Sequence, residues 1–101
     1  MVIGGIVMII IIKDALVGRT FPDAGAYIYD QMMANIDATD SYIWDMAEVS
    51  ELPSMFLNMC LGKIIKERGG DFVKSRVRFR NINKSQAYRI VDYVNKMSSA
   101  Q

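Results

Sequence analysis

Apolar and polar positions change period several times along this chain, and each change marks an element. Val2 to Ile12 is an apolar run interrupted by Gly4-Gly5 and closed by Lys13-Asp14. Consecutive β-branched residues suit a strand buried on both faces, so the run predicts a central sheet strand from Ile6 to Ile12. Residues 1–7 would extend it through a bend at Gly4-Gly5, and Met8 is an alternative start. Gly18-Arg19 then reads as a turn. Thr20 with Asp23 makes a capping pattern, Pro22 suits a first helical turn, and Phe21, Ala24, Ile28 and Met32 recur at helical spacing. That helix should end at Asn35 or Asp37, with Ala38 to Ser41 as a polar connector.

Tyr42 to Met46 is short, aromatic and β-branched, the pattern of a second strand. Glu48, Ser50 and Glu51 form an acidic loop, and Pro53 opens a helix that should run to Arg68 and stop at Gly69-Gly70. Two rows, Phe56/Cys60/Ile64 and Leu57/Leu61/Ile65, give this helix a wide apolar stripe. Cys60 therefore reads as a small core residue and not as a nucleophile. Arg76 to Arg80 alternates strictly, which predicts a strand with one solvated face. Asn81 to Asn83 is a turn, and Asn83 with Gln86 repeats the capping pattern. Ala87, Ile90, Val91 and Val94, extended by Met97, mark a last amphipathic helix, with 98–101 as a frayed tail.

This alternation predicts a single small α/β domain over residues 1–101. Its sheet should be mostly parallel or mixed, of about four strands, with three helices on right-handed crossovers. The stretch from Tyr42 to Arg68 is its centre: strand, acidic loop and helix in immediate succession.

Composition narrows the chemistry. The chain has 101 residues, 51% of them hydrophobic, with a formal net charge of +1 and pI near 7.8. It contains no histidine and one cysteine, Cys60. That inventory rules out a Ser-His-Asp triad, a Cys-His pair, histidine-ligated zinc and an intrachain disulfide. It disfavours an enzyme, calls for no cofactor or metal, and fits a reducing cytoplasm. The N-terminal apolar run falls well short of the roughly 20 residues that span a bilayer and lacks the flanks of a secretory signal, so no membrane role is expected.

The near-neutral total hides a segregation of charge. Thr20 to Gly62 carries seven acids and no base, whereas Lys63 to Val91 carries nine bases and two acids. Arg76, Arg78 and Arg80 on one strand face would stand about 7 Å apart and, with Lys84, could meet the phosphates of a nucleic acid or nucleotide. A solvated edge face, where charge prevents aggregation, is the favoured reading of that comb.

At the centre the residues carry a resemblance. Asp45-Met46 at a strand end, Val49 in a short loop, then Ser54, Phe56 and Leu57-Asn58 in the following helix resemble the STAS-like domains, relatives of bacterial anti-sigma-factor antagonists. They resemble in particular a small prokaryotic STAS-like family of uncharacterised function. Arg19, and Val77-Arg78-Phe79 leading into Asn81-Ile82-Asn83, are looser matches, and the likeness spans Met8 to Val94. It implies a regulatory, non-enzymatic module whose partner is an ATPase-fold kinase or an anti-sigma-like protein, with Ser54 as phosphoacceptor. The chain departs from the phosphorylated pattern at Pro53, where those relatives usually have Asp, and Glu48 and Glu51 add negative charge nearby.

Three functions follow. In the first, Glu48, Ser50, Glu51, Ser54, Met55 and Asn58 dock a protein partner, with or without phosphorylation of Ser54. The alternative is a nucleic-acid or nucleotide binder using Arg76, Arg78, Arg80 and Lys84. The last is a small enzyme using Asp45, Glu48 and Glu51 as acid/base groups or divalent-metal ligands, for which the sequence supplies neither a nucleophile nor a phosphate cradle. A homodimer remains open, through the apolar first strand, if that strand lies at an edge.

Overall fold

A computed structural model describes residues 5–99. Three strands form one parallel sheet in chain order: β1 (Ile6–Ile11), β2 (Thr39–Asp45) and β3 (Val77–Arg80). Six α-helices accompany them: α1 (Ile12–Leu16), α2 (Phe21–Ala34), α3 (Ser54–Met59), α4 (Leu61–Arg68), α5 (Gly70–Arg76) and α6 (Lys84–Ser99). A 3-10 turn, Ile36–Ala38, leads into β2. The α/β class and the parallel pairing match the sequence reading; four strands and three helices do not.

Because the strands follow one another in order, right-handed crossovers place every connecting helix on the same face of the sheet. The burial pattern agrees. Ile10, Tyr42, Trp44 and Val77 point into the core, while Val7, Ile9, Ile11, Arg78 and Arg80 stay exposed on the other face. The first strand is thus an edge strand with one open face, and not the doubly buried central strand its composition suggests. Its continuous apolar run hid that, since β-branched residues on an exposed face look the same in sequence as buried ones.

Trp44 is the middle of the core. It is completely buried and meets Phe56 and Phe79 edge-on at 6.1 and 5.6 Å between ring centroids. Such pairs add about 0.5–1.5 kcal/mol to the burial itself. Among the described residues its indole N–H finds no acceptor. Tyr42, equally buried, donates its hydroxyl to the Met32 carbonyl at 2.9 Å and so locks β2 to the end of α2.

The predicted Pro53–Arg68 helix is two helices. Cys60, at φ −126° and ψ −77°, breaks it, and its thiol donates to the Phe56 carbonyl at 3.4 Å. The break lets α3 pack on α2 while α4 turns toward α6. Gly25 makes the first of these contacts close: a Cβ there would stand 2.5 Å from the Phe56 carbonyl oxygen. Gly69, at φ +89°, then turns the chain into α5, a helix the sequence pattern missed. Arg76 closes α5 and is not part of β3. Its guanidinium donates to the Thr39 carbonyl at 3.1 Å and lies over the Phe72 ring.

Both capping patterns form. The Thr20 hydroxyl accepts the Asp23 N–H at 3.2 Å, and Asn83 Oδ1 accepts the Gln86 N–H at 2.8 Å. Ser98 and Ser99 remain helical, each hydroxyl bonded to the carbonyl four residues back, so the frayed tail does not begin there. The first four residues of the proposed N-terminal extension and residues 100–101 of the tail lie outside the described residues.

Candidate functional site

Open parallel sheets place their sites beyond the carboxyl ends of the strands. Here β2 ends there in Asp45, which lies opposite Arg80 of β3 in the ladder. Asp45 Oδ2 accepts from Arg80 Nε at 3.0 Å and pairs with its Nη2 at 3.0 Å. Asp45 Oδ1 accepts from the Asn81 amide and from the Ala47 N–H, both at 3.0 Å. These donors, the Asn81 amide first and the Ala47 N–H next, with Arg80 adding its share, hold the carboxyl below its ordinary value. The cluster ties β2 to the β3–α6 turn and fixes the first residues of the 46–53 loop.

The loop is held from two more sides. Val49 and Leu52 are buried, and the buried Gln86 amide donates to the carbonyls of Val49 and Ser50, the latter at 2.9 Å. Glu48 has φ +63° and Asn81 φ +56°. Asn tolerates that conformation, but a non-glycine residue such as Glu costs on the order of 1–3 kcal/mol there. Glu48 turned outward in this way meets Lys13 at 2.8 Å, bridging the loop to the start of α1.

Beyond the loop, Pro53 occupies the N-cap of α3, and among the described residues no side chain caps it. Ser54 is therefore the first helical residue, exposed, and does not perform the capping role a helix-start hydroxyl often takes. Beside it Met55 is 54% exposed and forms one wall of a shallow, largely apolar concavity of about 410 Å³ with Leu16, Phe21 and Pro22. Arg19 and Thr20 complete the rim. Asn58, one turn further along α3, is exposed on its outer side and accepts from the Tyr93 hydroxyl of α6.

The six residues predicted for docking are thus all exposed and lie along one loop and helix start: Glu48, Ser50, Glu51, Ser54, Met55 and Asn58. The arginine comb does not assemble. Arg76 belongs to α5, Arg80 is paired with Asp45, and Arg78 reaches back to the Lys74 carbonyl at 3.4 Å; Lys84 begins α6 on the surface. Asp45, Glu48 and Glu51 do not converge on one point either. Asp45 faces Arg80, Glu48 faces Lys13, and no metal-ligating cluster of three side chains occurs among the described residues. Cys60 is completely buried, which pushes its thiol up to about 12, as expected of a core residue.

Sequence reasoning missed three parts of this site. Asn81 as a ligand of Asp45 left no signal beyond its place in a turn. The second role of Gln86 was hidden behind its capping role. The Phe21–Met55 concavity needed tertiary structure, although an apolar Phe21 ahead of Pro22 was visible.

A small parallel sheet with helices on one face, and a strand–loop–helix junction at its carboxyl end, define the class of domain. The family described as STAS-like domain of unknown function (DUF4325) matches residues 24–87, and the chain belongs to it. No curated protein and no solved structure matches the chain. No described helix is long and apolar enough to cross a membrane.

Proposed function

We propose that this STAS-like domain is a non-enzymatic regulatory module, working in the cytoplasm, that docks a protein partner through the 48–58 surface. The observation that carries this reading is the concavity walled by Met55 and Phe21 beside the exposed Ser54. An apolar hollow rimmed by Arg19 and Thr20 takes a partner's side chain, and the exposed Glu48, Ser50, Glu51 and Asn58 of the same loop and helix supply further polar contacts, the usual anatomy of a docking site. The loop is pre-organised by Asp45 and Gln86, so little ordering is left for the moment of binding. The family resemblance favours an ATPase-fold kinase or an anti-sigma-like protein as that partner.

Phosphorylation of Ser54 would act as a switch on the same surface. A phosphate on the first residue of α3 adds nearly two negative charges next to Met55, which walls the hollow, and three residues after Glu51. The helix start favours such a group, whereas Glu48 and Glu51 oppose it. We therefore assign the modified form to the released state.

Affinity capture from the native host tests the reading, with the wild-type chain and the variants Met55→Asp, Ser54→Asp and Glu51→Lys as baits. A protein retained by the wild type and lost by all three, with circular dichroism unchanged, supports it. Equal retention by all four baits would refute it. Intact mass of the chain from that host, heavier by one phosphate at Ser54 or not, decides the switch separately.

A further inference from the structure

The two edges of the sheet are built differently. The β3 edge is only four residues long and carries Arg78 and Arg80, two of the devices by which proteins keep sheet edges from pairing. The β1 edge is six residues of Ile, Val and Met with no charge and no proline, and its one irregularity, between Ile6 and Val7, lies at its start. Among the described residues nothing pairs with it. Ile6, Val7, Ile9 and Ile11 are 59, 50, 50 and 38% exposed. A groove of about 210 Å³ runs along this edge, walled by Tyr27 and Gln31 of α2 and by Asp14.

We infer that the β1 edge is a self-association surface, and that two copies join β1 to β1 antiparallel about a twofold axis near Met8 and Ile9. An edge strand pairs with its own copy only in antiparallel sense under twofold symmetry, which gives a closed dimer with one six-stranded sheet. A uniformly apolar strand is self-complementary in that arrangement, because no charge meets its own image near the axis. Lys13 and Asp14 lie beyond the strand, in α1, and so stand far from their counterparts. The helices of both copies fall on one face, and Tyr27, 38% exposed, is covered by the second α2.

The contact is small. Six residues extend about 20 Å, and sheet plus one helix layer is roughly 15–20 Å thick, a footprint on the order of 400 Å². That is about half of the ~800 Å² per partner in a standard complex, so the dimer dissociates in the micromolar range or above. Face-to-face stacking of the open sheets, by contrast, sets Arg78 against its own copy when the apolar rows align.

Sedimentation equilibrium of the whole chain from about 10 µM to 1 mM tests the dimer. The expected result is a mass rising from monomer to dimer. Ile9→Lys, beside the axis, raises the dissociation constant at least tenfold; Ile43→Lys, on the same open face but one strand away, changes it less than threefold. A monomer at every concentration, a mass climbing beyond the dimer, or equal weakening by both variants overturns the inference. Should Ile9→Lys fail to fold, oxidation of Ile9→Cys gives a covalent dimer and Ile43→Cys does not. Cys60, being buried, stays out of that reaction. No covalent dimer from Ile9→Cys overturns it equally.

Discussion

The acidic 46–53 loop and the basic α5–β3 segment carry opposite charge and looked in sequence like two rival surfaces. In the structure they are unequal. The loop points its acids outward, Glu51 to solvent and Glu48 to Lys13, while buried Val49, Leu52 and Asp45 anchor it from below. The basic segment turns much of its charge inward: Arg80 onto Asp45, Arg76 onto the Thr39 carbonyl and the Phe72 ring. Segregation of charge along a chain therefore need not mark a partner. Here part of it is consumed where the basic half folds against the acidic half, and the pairing that results stiffens the loop proposed for docking.

The strongest way to break that comparison is to remove what both regions stand on. Trp44 supports α3 through Phe56 and β3 through Phe79, so Trp44→Ala should cost about 3–5 kcal/mol in urea unfolding and loosen both alike. Asp45→Ala should act on one side only. It frees Arg80, Asn81 and the Ala47 N–H, so hydrogen exchange should quicken across residues 46–53 and at Asn81 while α2 and α4 keep their protection. The pH dependence has a definite sign. A carboxyl whose folded pKa lies below its ordinary 3.8 contributes stability that is complete above that value. The contribution is lost as pH falls through the lower folded value. Wild type should therefore lose its advantage over Asp45→Ala below about pH 4, and an advantage that persisted into strong acid would remove the carboxylate from this role.

How much of this could be read from sequence follows from the physics of each residue. Capping patterns are local, so Thr20–Asp23 and Asn83–Gln86 were legible and formed. The strand–loop–helix order around Asp45 and Ser54 was legible for the same reason, as were the exposed positions of the loop. The break at Cys60 was not, because the stripe through Phe56, Cys60 and Ile64 continues across it and only packing on α2 and α6 demands the kink. Arg76 misled because alternation from Arg76 to Arg80 is a strand signal, whereas Gly69-Gly70, read as a stop, also starts α5. The position of β1 was illegible in principle: edge or centre depends on strand order, which the chain does not state. Gly25 was the overlooked clue, since a glycine inside a helix costs about 1 kcal/mol and usually signals a close neighbour.

Gln86 and the arginines sharpen the contrast further. Gln86→Ala leaves the Val49 and Ser50 carbonyls without their donor beneath the loop, a loss of about 1–3 kcal/mol that should appear as faster exchange at residues 49–53. The smallest effects separate two neighbours on one strand. Arg78 and Arg80 share a face of β3, and the comb reading treats them as equivalent. Arg80, 46% exposed at its side chain, holds Asp45, so Arg80→Gln should cost up to about 1 kcal/mol after solvent screening. Arg78 bonds only a helix-end carbonyl at the long limit of 3.4 Å, so Arg78→Gln should stay within about 0.5 kcal/mol of wild type. Raising salt to about 1 M should shrink the first difference and leave the second unchanged, since only Arg80 faces an opposite charge. Equal losses for both variants, equally screened, would mean that the two arginines serve one electrostatic surface and that the inward turn of Arg80 is incidental to stability.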